Sequence, residues 1–193
     1  IDVTVVVHGD DFMSEGEAES LDKLDEVLEA HVQIKKLGRI GPGAGTHGRY
    51  LKRHIMYDED ERAFTWRGDP HHVDICVKAL KLESCTPAET PGTKSTGMGM
   101  RNKLEPLEEA ESGLASSVAG TVAFIVQDRP ECQYAAKVIL SDISKPTQLT
   151  MARIKRLVRF LKGRPSVEWV YVLQDMPDAV QSEADSDWAE AED

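Results

Sequence analysis

The pattern of apolar and polar positions divides the chain into short elements. Residues 1–7 are apolar and mostly β-branched, the mark of a buried strand, and they end at His8-Gly9-Asp10-Asp11. Phe12 and Met13 resume the apolar pattern, so the two sides predict a β-hairpin with Gly9-Asp10-Asp11 at its tip. Leu21, Leu24, Leu28 and Val32 recur at three- and four-residue spacing, which predicts a helix from a Ser20 cap to about Lys36, with Gly38 as its stop. Five glycines and one proline between Gly38 and Gly48 predict a loop. Tyr50, Ile55 and Tyr57, then Ala63, Phe64 and Trp66, flank the acidic turn 58–61 and predict a second hairpin, with Phe64 and Trp66 as its anchors.

A short amphipathic helix is expected from Val73 to Leu82. Residues 86–102, rich in Thr, Gly and Pro, form the expected linker. Three helices follow, at about 107–126, 130–141 and 147–162. Pro130 suits the first turn of its helix, and Pro146 lies just ahead of the last one. Val167 to Leu173 alternates and is β-rich, predicting a final strand before an acidic tail.

Composition narrows the class. At 40% hydrophobic and 30% charged, the 193-residue chain can build a core. No apolar run approaches the roughly 20 residues needed to cross a bilayer, so no membrane segment is expected. Cys76, Cys85 and Cys132 are scattered and odd in number, without a C-x-x-C pair. That argues against a disulfide framework or a zinc site and favours a reducing, intracellular setting, cytoplasmic or nuclear. His8 and the His71-His72 pair have no ligand spacing and read as surface or turn histidines. The net charge of -11 disfavours nucleic acid as a partner on average, yet it is unevenly placed. Residues 145–164 carry seven basic side chains and no acidic one, whereas 174–193 carry eight acidic and no basic. Met151, Ile154, Leu157, Val158 and Leu161 give the basic stretch an apolar stripe, so its charges can be a solvated face or a phosphate-contacting one.

Two adjacent carboxylates at a hairpin tip are what nucleotidyl transfer needs to hold Mg²⁺, although acidic turns beside glycine are also common solvated turns. Segments further along add meaning. V-V-V-H-G-D-D-F-M at 5–13 resembles the Y-V-D-D-F hairpin of copia-type retrotransposon reverse transcriptases. R-Y-L-K-R-H-I at 49–55 resembles the family's second hairpin near F-L-G, and D-I-C-V-K-A-L-K-L-E-S-C-T-P-A-E-T-P at 74–91 its helix before T-P. S-S-V-A-G-T-V-A-F-I-V-Q-D-R-P-E at 116–131 is similar to the S-x-x-G-x-x-x-[YF] helix that runs into R-P-D. P-T-Q-L-T-M-A-R-I-K-R-L-V-R-F-L-K-G at 146–163 and D-S-D-W-A at 185–189 match the family's last two landmarks, in order.

The resemblance implies an α+β fold: a partial polymerase palm of β-hairpins plus a helix, then a helical thumb or connection and a terminal strand. Its expected divisions are 1–85 as palm with the second hairpin, 86–104 as linker, 105–164 as thumb or connection, and 165–193 as the start of a ribonuclease H domain with the acidic tail. It implies Asp10 and Asp11 as catalytic Mg²⁺ ligands, Asp185 as the first metal ligand of the ribonuclease H site, and Arg153, Lys155, Arg156, Arg159 and Lys162 facing a nucleic-acid duplex. The 49–66 hairpin would position the primer terminus.

The implied partners are an RNA template, an RNA–DNA duplex and a deoxynucleoside triphosphate, without a membrane. The implied activity is RNA-directed DNA polymerisation. The other reading is a decayed or host-adopted remnant that only binds nucleic acid or protein. His8 stands where the family has Tyr, Gly9 where it has a small apolar residue, Tyr50-Leu51-Lys52 for F-L-G, and Glu131 for the aspartate of R-P-D. An Ile start with a strand already under way is how an excised chain begins. The fingers and third palm aspartate are not within these residues, so this chain alone is not expected to polymerise.

Overall fold

A computed structural model describes residues 2–93, 105–174, 179 and 181–182. The fold is mixed α+β with two antiparallel sheets. β1 (Val3–His8) and β2 (Asp11–Gly16) form a two-stranded ribbon, followed by α1 (Ala18–His31). β3 (His47–Tyr50), β4 (Arg53–Asp58), β5 (Ala63–Gly68) and β6 (Glu168–Val172) form the second sheet in that spatial order, β6 returning from the end of the chain to lie beside β5. α2 (His71–Ala79), α3 (Glu109–Ile125), α4 (Pro130–Asp142) and α5 (Gln148–Gly163) make the helical layer.

The helices enclose one core. Val73, Cys76 and Val77 of α2, with Leu80 just past its end, pack with Val118 and Val122 of α3, Cys132 and Ile139 of α4, and Ile154, Leu157 and Leu161 of α5. α2 therefore shares its core with the segment expected as thumb or connection, and the terminal strand belongs to the hairpin sheet. Residues 86–93, expected as linker, begin as a strap against α5, where the Ala88 N–H donates to the Arg159 carbonyl and Gly163 lies against Pro87. α5 starts in a reciprocal capping box between Thr147 and Thr150, and its predicted apolar stripe is buried throughout. Burial pushes the Cys76 and Cys132 thiols up to about 11, so both are inert packing groups.

Three expectations need correction. α1 ends at His31 and not near Lys36, because Val32 turns extended and Lys36 and Arg39 come back to Asp22, Asp25 and Glu29, at 2.8–3.2 Å. Ser20 lies inside that helix, whose N-cap is Glu17. The predicted loop 38–48 contains the start of β3. A Cβ at Gly48 would collide with the Ile40 side chain, so the strand accepts glycine there as a packing requirement. Finally, β1 is not a buried strand: Val5, Val6 and Val7 are exposed, since among the described residues the ribbon sets β2 beside it and α1 against it and adds no second layer.

Candidate catalytic turn and nucleic-acid groove

His8 pairs with Asp11 across a two-residue loop, Gly9-Asp10. Gly9 has φ +62 and Asp10 is not in the left-handed region, the arrangement of a type II′ turn with glycine at its first position. A side chain at position 9 would meet no neighbour but would strain the backbone, which accounts for the glycine there. Asp10 thus occupies the turn and Asp11 opens β2, and both are exposed. Hard carboxylate oxygens of this kind suit Mg²⁺, which keeps several waters and takes one or two protein carboxylates. Among the described residues no group of three His, Cys, Asp or Glu gathers to complete a metal site. Asp185 lies outside the described residues.

The basic helix is engaged with its own chain. Arg153 pairs with Asp142 at 2.8 Å. The Arg156 Nη2 donates to Thr90 Oγ1 at 2.7 Å, and the Arg159 Nε donates to the Thr86 carbonyl at 2.7 Å. Lys162 Nζ donates to the carbonyls of Leu82, Glu83 and Cys85, at 3.1, 2.6 and 2.7 Å. Only Lys155 of the five is exposed without such a bond. Four of these cations hold the strap 82–90, or a neighbouring helix, in place.

A different cation lines open space. Lys52, His72, Ser117, Gly120, Thr121 and Phe124 border a groove of about 410 Å³ between the β3–β4 turn and α3. Ser117, Gly120, Thr121 and Phe124 share one face of α3 at three- and four-residue spacing. The lack of a side chain at Gly120 lets a ligand backbone approach closely. The Phe124 ring is flanked by the His72 ring edge-on and by the Arg53 guanidinium, each 4.9 Å away. The S-x-x-G-T-x-x-F spacing was the available signal for this face; Lys52 and His72 come from other segments and carry no signal of their own.

The β3–β4 turn itself is strained. Leu51 and Lys52 both have positive φ, 46 and 64, as a type I′ turn demands, without the glycine or asparagine that normally supply it. A non-glycine residue there costs about 1–2 kcal/mol. Lys52→Gly is therefore expected to stabilise the chain by a few tenths to about 1 kcal/mol, after the entropy of the unfolded glycine is allowed for. Urea unfolding checks it, and a destabilised variant would show that the turn is not strained.

Comparison with protein-family models, with curated proteins and with solved structures finds no match to this chain. Among the described residues, no helix is long and apolar enough to cross a membrane.

Proposed function

We propose that the chain is part of a copia-type reverse transcriptase, in which β1, β2 and α1 belong to the polymerase palm, the β3–β4 hairpin positions the primer, and α3–α5 form the thumb or connection. The observation that carries the reading is the hairpin with Asp10 in the turn and Asp11 opening the next strand, both exposed, at the place where the family holds its aspartate pair. Asp10 and Asp11 would hold Mg²⁺, which when bound activates the primer hydroxyl and steadies the triphosphate.

The groove beside Lys52 supports the same reading. A cation, two hydroxyls, a side-chain-free approach and an aromatic edge are suited to a nucleic-acid backbone and its sugars. Strain retained at Lys52, where glycine would relax it, is expected of a residue that a ligand uses. The duplex contact that the basic helix was expected to supply is accordingly assigned to the groove, with Lys155 free to add to it.

Binding of an RNA–DNA duplex by the 193-residue chain, followed by fluorescence anisotropy across a salt series, tests this. Lys52→Gly should weaken binding about tenfold and reduce the salt slope by roughly one ion, while raising stability. Gly120→Leu should weaken it as well, by filling the groove. Asp10→Asn and Asp11→Asn should leave duplex affinity unchanged and abolish Mn²⁺-induced broadening of resonances at the hairpin tip. Absence of duplex affinity at low salt would end the reading. Duplex binding with no metal response at the tip would favour the host-adopted binding module instead.

A further inference from the structure

Residues 86–91 read T-P-A-E-T-P, so the strap carries two threonines, Thr86 and Thr90, each followed directly by proline. Proline fixes its own φ, has no N–H to donate, and biases the residue before it toward extended backbone. A threonine in that setting is what a proline-directed kinase selects. Both threonines are exposed, on a stretch outside any helix or strand. The two differ in what α5 sets against them. At Thr86 the contact is with the backbone, since Arg159 Nε donates to the carbonyl. At Thr90 it is with the hydroxyl itself, where Arg156 Nη2 donates to Oγ1 at 2.7 Å.

Arg156 has a donor to spare at that point. Its Nε is buried and has no hydrogen-bond partner. Nε and Nη2 lie on one edge of the planar guanidinium, the fork that takes two oxygens of a phosphate at once. An unmet buried donor is costly, and further oxygens on Thr90 would meet it. The neighbouring cations add positive field without competing for the same acceptor. Arg153 pairs with Asp142, Arg159 and Lys162 are engaged by strap carbonyls, and Lys155 is exposed. Residues 145–164 contain no carboxylate, and Glu89, next to Thr90 in the chain, is exposed to water.

We propose that Thr90 is a phosphorylation site and that Arg156 receives the phosphate, fastening the strap to α5. Thr90 is held by single side-chain contacts, so local opening presents it to a kinase. Its Oγ1 attacks the γ-phosphorus of a nucleoside triphosphate bound by that kinase. An Oγ1–P bond forms and the bond from phosphorus to the bridging oxygen breaks. The hydroxyl proton passes to the kinase's base, and the nucleoside diphosphate leaves. The hydroxyl's bond to the Gly92 carbonyl, at 2.8 Å, goes with that proton, and the exposed Gly92 turns its carbonyl to water. In exchange, the single contact from Nη2 becomes a two-point, charge-assisted pair. Nothing in this assignment depends on Asp10, Asp11 or the groove at Lys52.

The full chain is treated with a proline-directed serine/threonine kinase and Mg·ATP, and labelled positions are read by mass spectrometry. Label is expected at Thr90 and is lost from that peptide in Thr90→Val. In the modified chain the Ala88 amide, whose N–H bonds to the Arg159 carbonyl, should exchange about tenfold more slowly. By phosphorus NMR, the phosphate should lose its second proton at a lower pH than in the modified Arg156→Gln chain, where the slower exchange also disappears. A chain synthesised with phosphothreonine at 90 should give the same two readouts, independent of any kinase. Label confined to Thr86, a chain that takes none at Thr90, or a phosphate at Thr90 whose titration and exchange ignore Arg156→Gln would each overturn the assignment.

Discussion

Arg53→Met is expected to lower unfolding free energy by about 3–5 kcal/mol, the cost of removing one partner from a buried ion pair. Arg53 is the joint between the hairpin sheet and the helical layer. Its side chain is 7% exposed and its Nε reaches both Asp128 oxygens, at 3.1 and 2.9 Å. Its Nη1 donates to the Leu51 carbonyl and its Nη2 to Gln127 Oε1, both at 3.0 Å, and its plane lies over Phe124. Methionine keeps the apolar stem and removes every donor. Asp128 would then retain only the long Trp66 Nε1 contact at 3.4 Å for its carboxylate, in a site where its side chain is 17% exposed. Urea unfolding followed by tryptophan emission is the measurement, because Trp66 and Trp169 both donate to Asp128. Adding Asp128→Asn should recover part of the loss, since no charge is then stranded. A loss below about 1 kcal/mol, the range of an exposed pair, would show that the joint is made by packing alone.

The joint also illustrates what the sequence could and could not disclose. Local pattern was enough for the β4–β5 hairpin, whose acidic turn is closed by Asp58 Oδ1 accepting from the Asp60 and Glu61 N–H groups, but Tyr50, expected on its first arm, lies on β3 beyond a further turn at Leu51-Lys52. It was enough for α4, begun at Pro130, and for α5, whose stripe of Met151, Ile154, Leu157, Val158 and Leu161 is buried. These signals lie within a few residues of one another. The return of β6 to β5 was hidden, since its register, Trp66 against Trp169, joins residues a hundred positions apart. Arg53 looked like any hairpin arginine until Asp128 arrived from another element. The Gly9-Asp10 turn was readable as a turn from Gly9 and the aspartates, while the exposure of β1 was not, because an apolar run does not say whether a second layer exists to cover it. The groove has parts on β3–β4, α2 and α3, and only the α3 part has periodicity.

Lys162 is the position where sequence pattern and geometry lead to opposite experiments. Pattern places it in a basic run suited to phosphate, and on that basis Lys162→Met should weaken duplex binding and leave the fold intact. Geometry places its Nζ among three carbonyls, of Leu82, Glu83 and Cys85, where all three ammonium donors are used on one's own backbone. Hydrogen bonds from a charged group contribute about 1.5–3 kcal/mol each in favourable cases. Glu83 is exposed and its carbonyl can turn to water, so Lys162→Met should cost about 2–4 kcal/mol in total and not the full sum. Lys162→Arg should recover less than half of this, because a planar fork cannot converge on three oxygens as a tetrahedral ammonium does. The loss should be local first: amide exchange at Cys85 and Ala88, whose N–H groups bond to Leu82 and Arg159, should quicken before the rest of the core. Unchanged exchange in the strap together with a weaker duplex complex would restore the helix to the nucleic-acid surface. Faster exchange with duplex affinity intact would leave the groove at Lys52 as the contact that the reverse-transcriptase reading has to rest on.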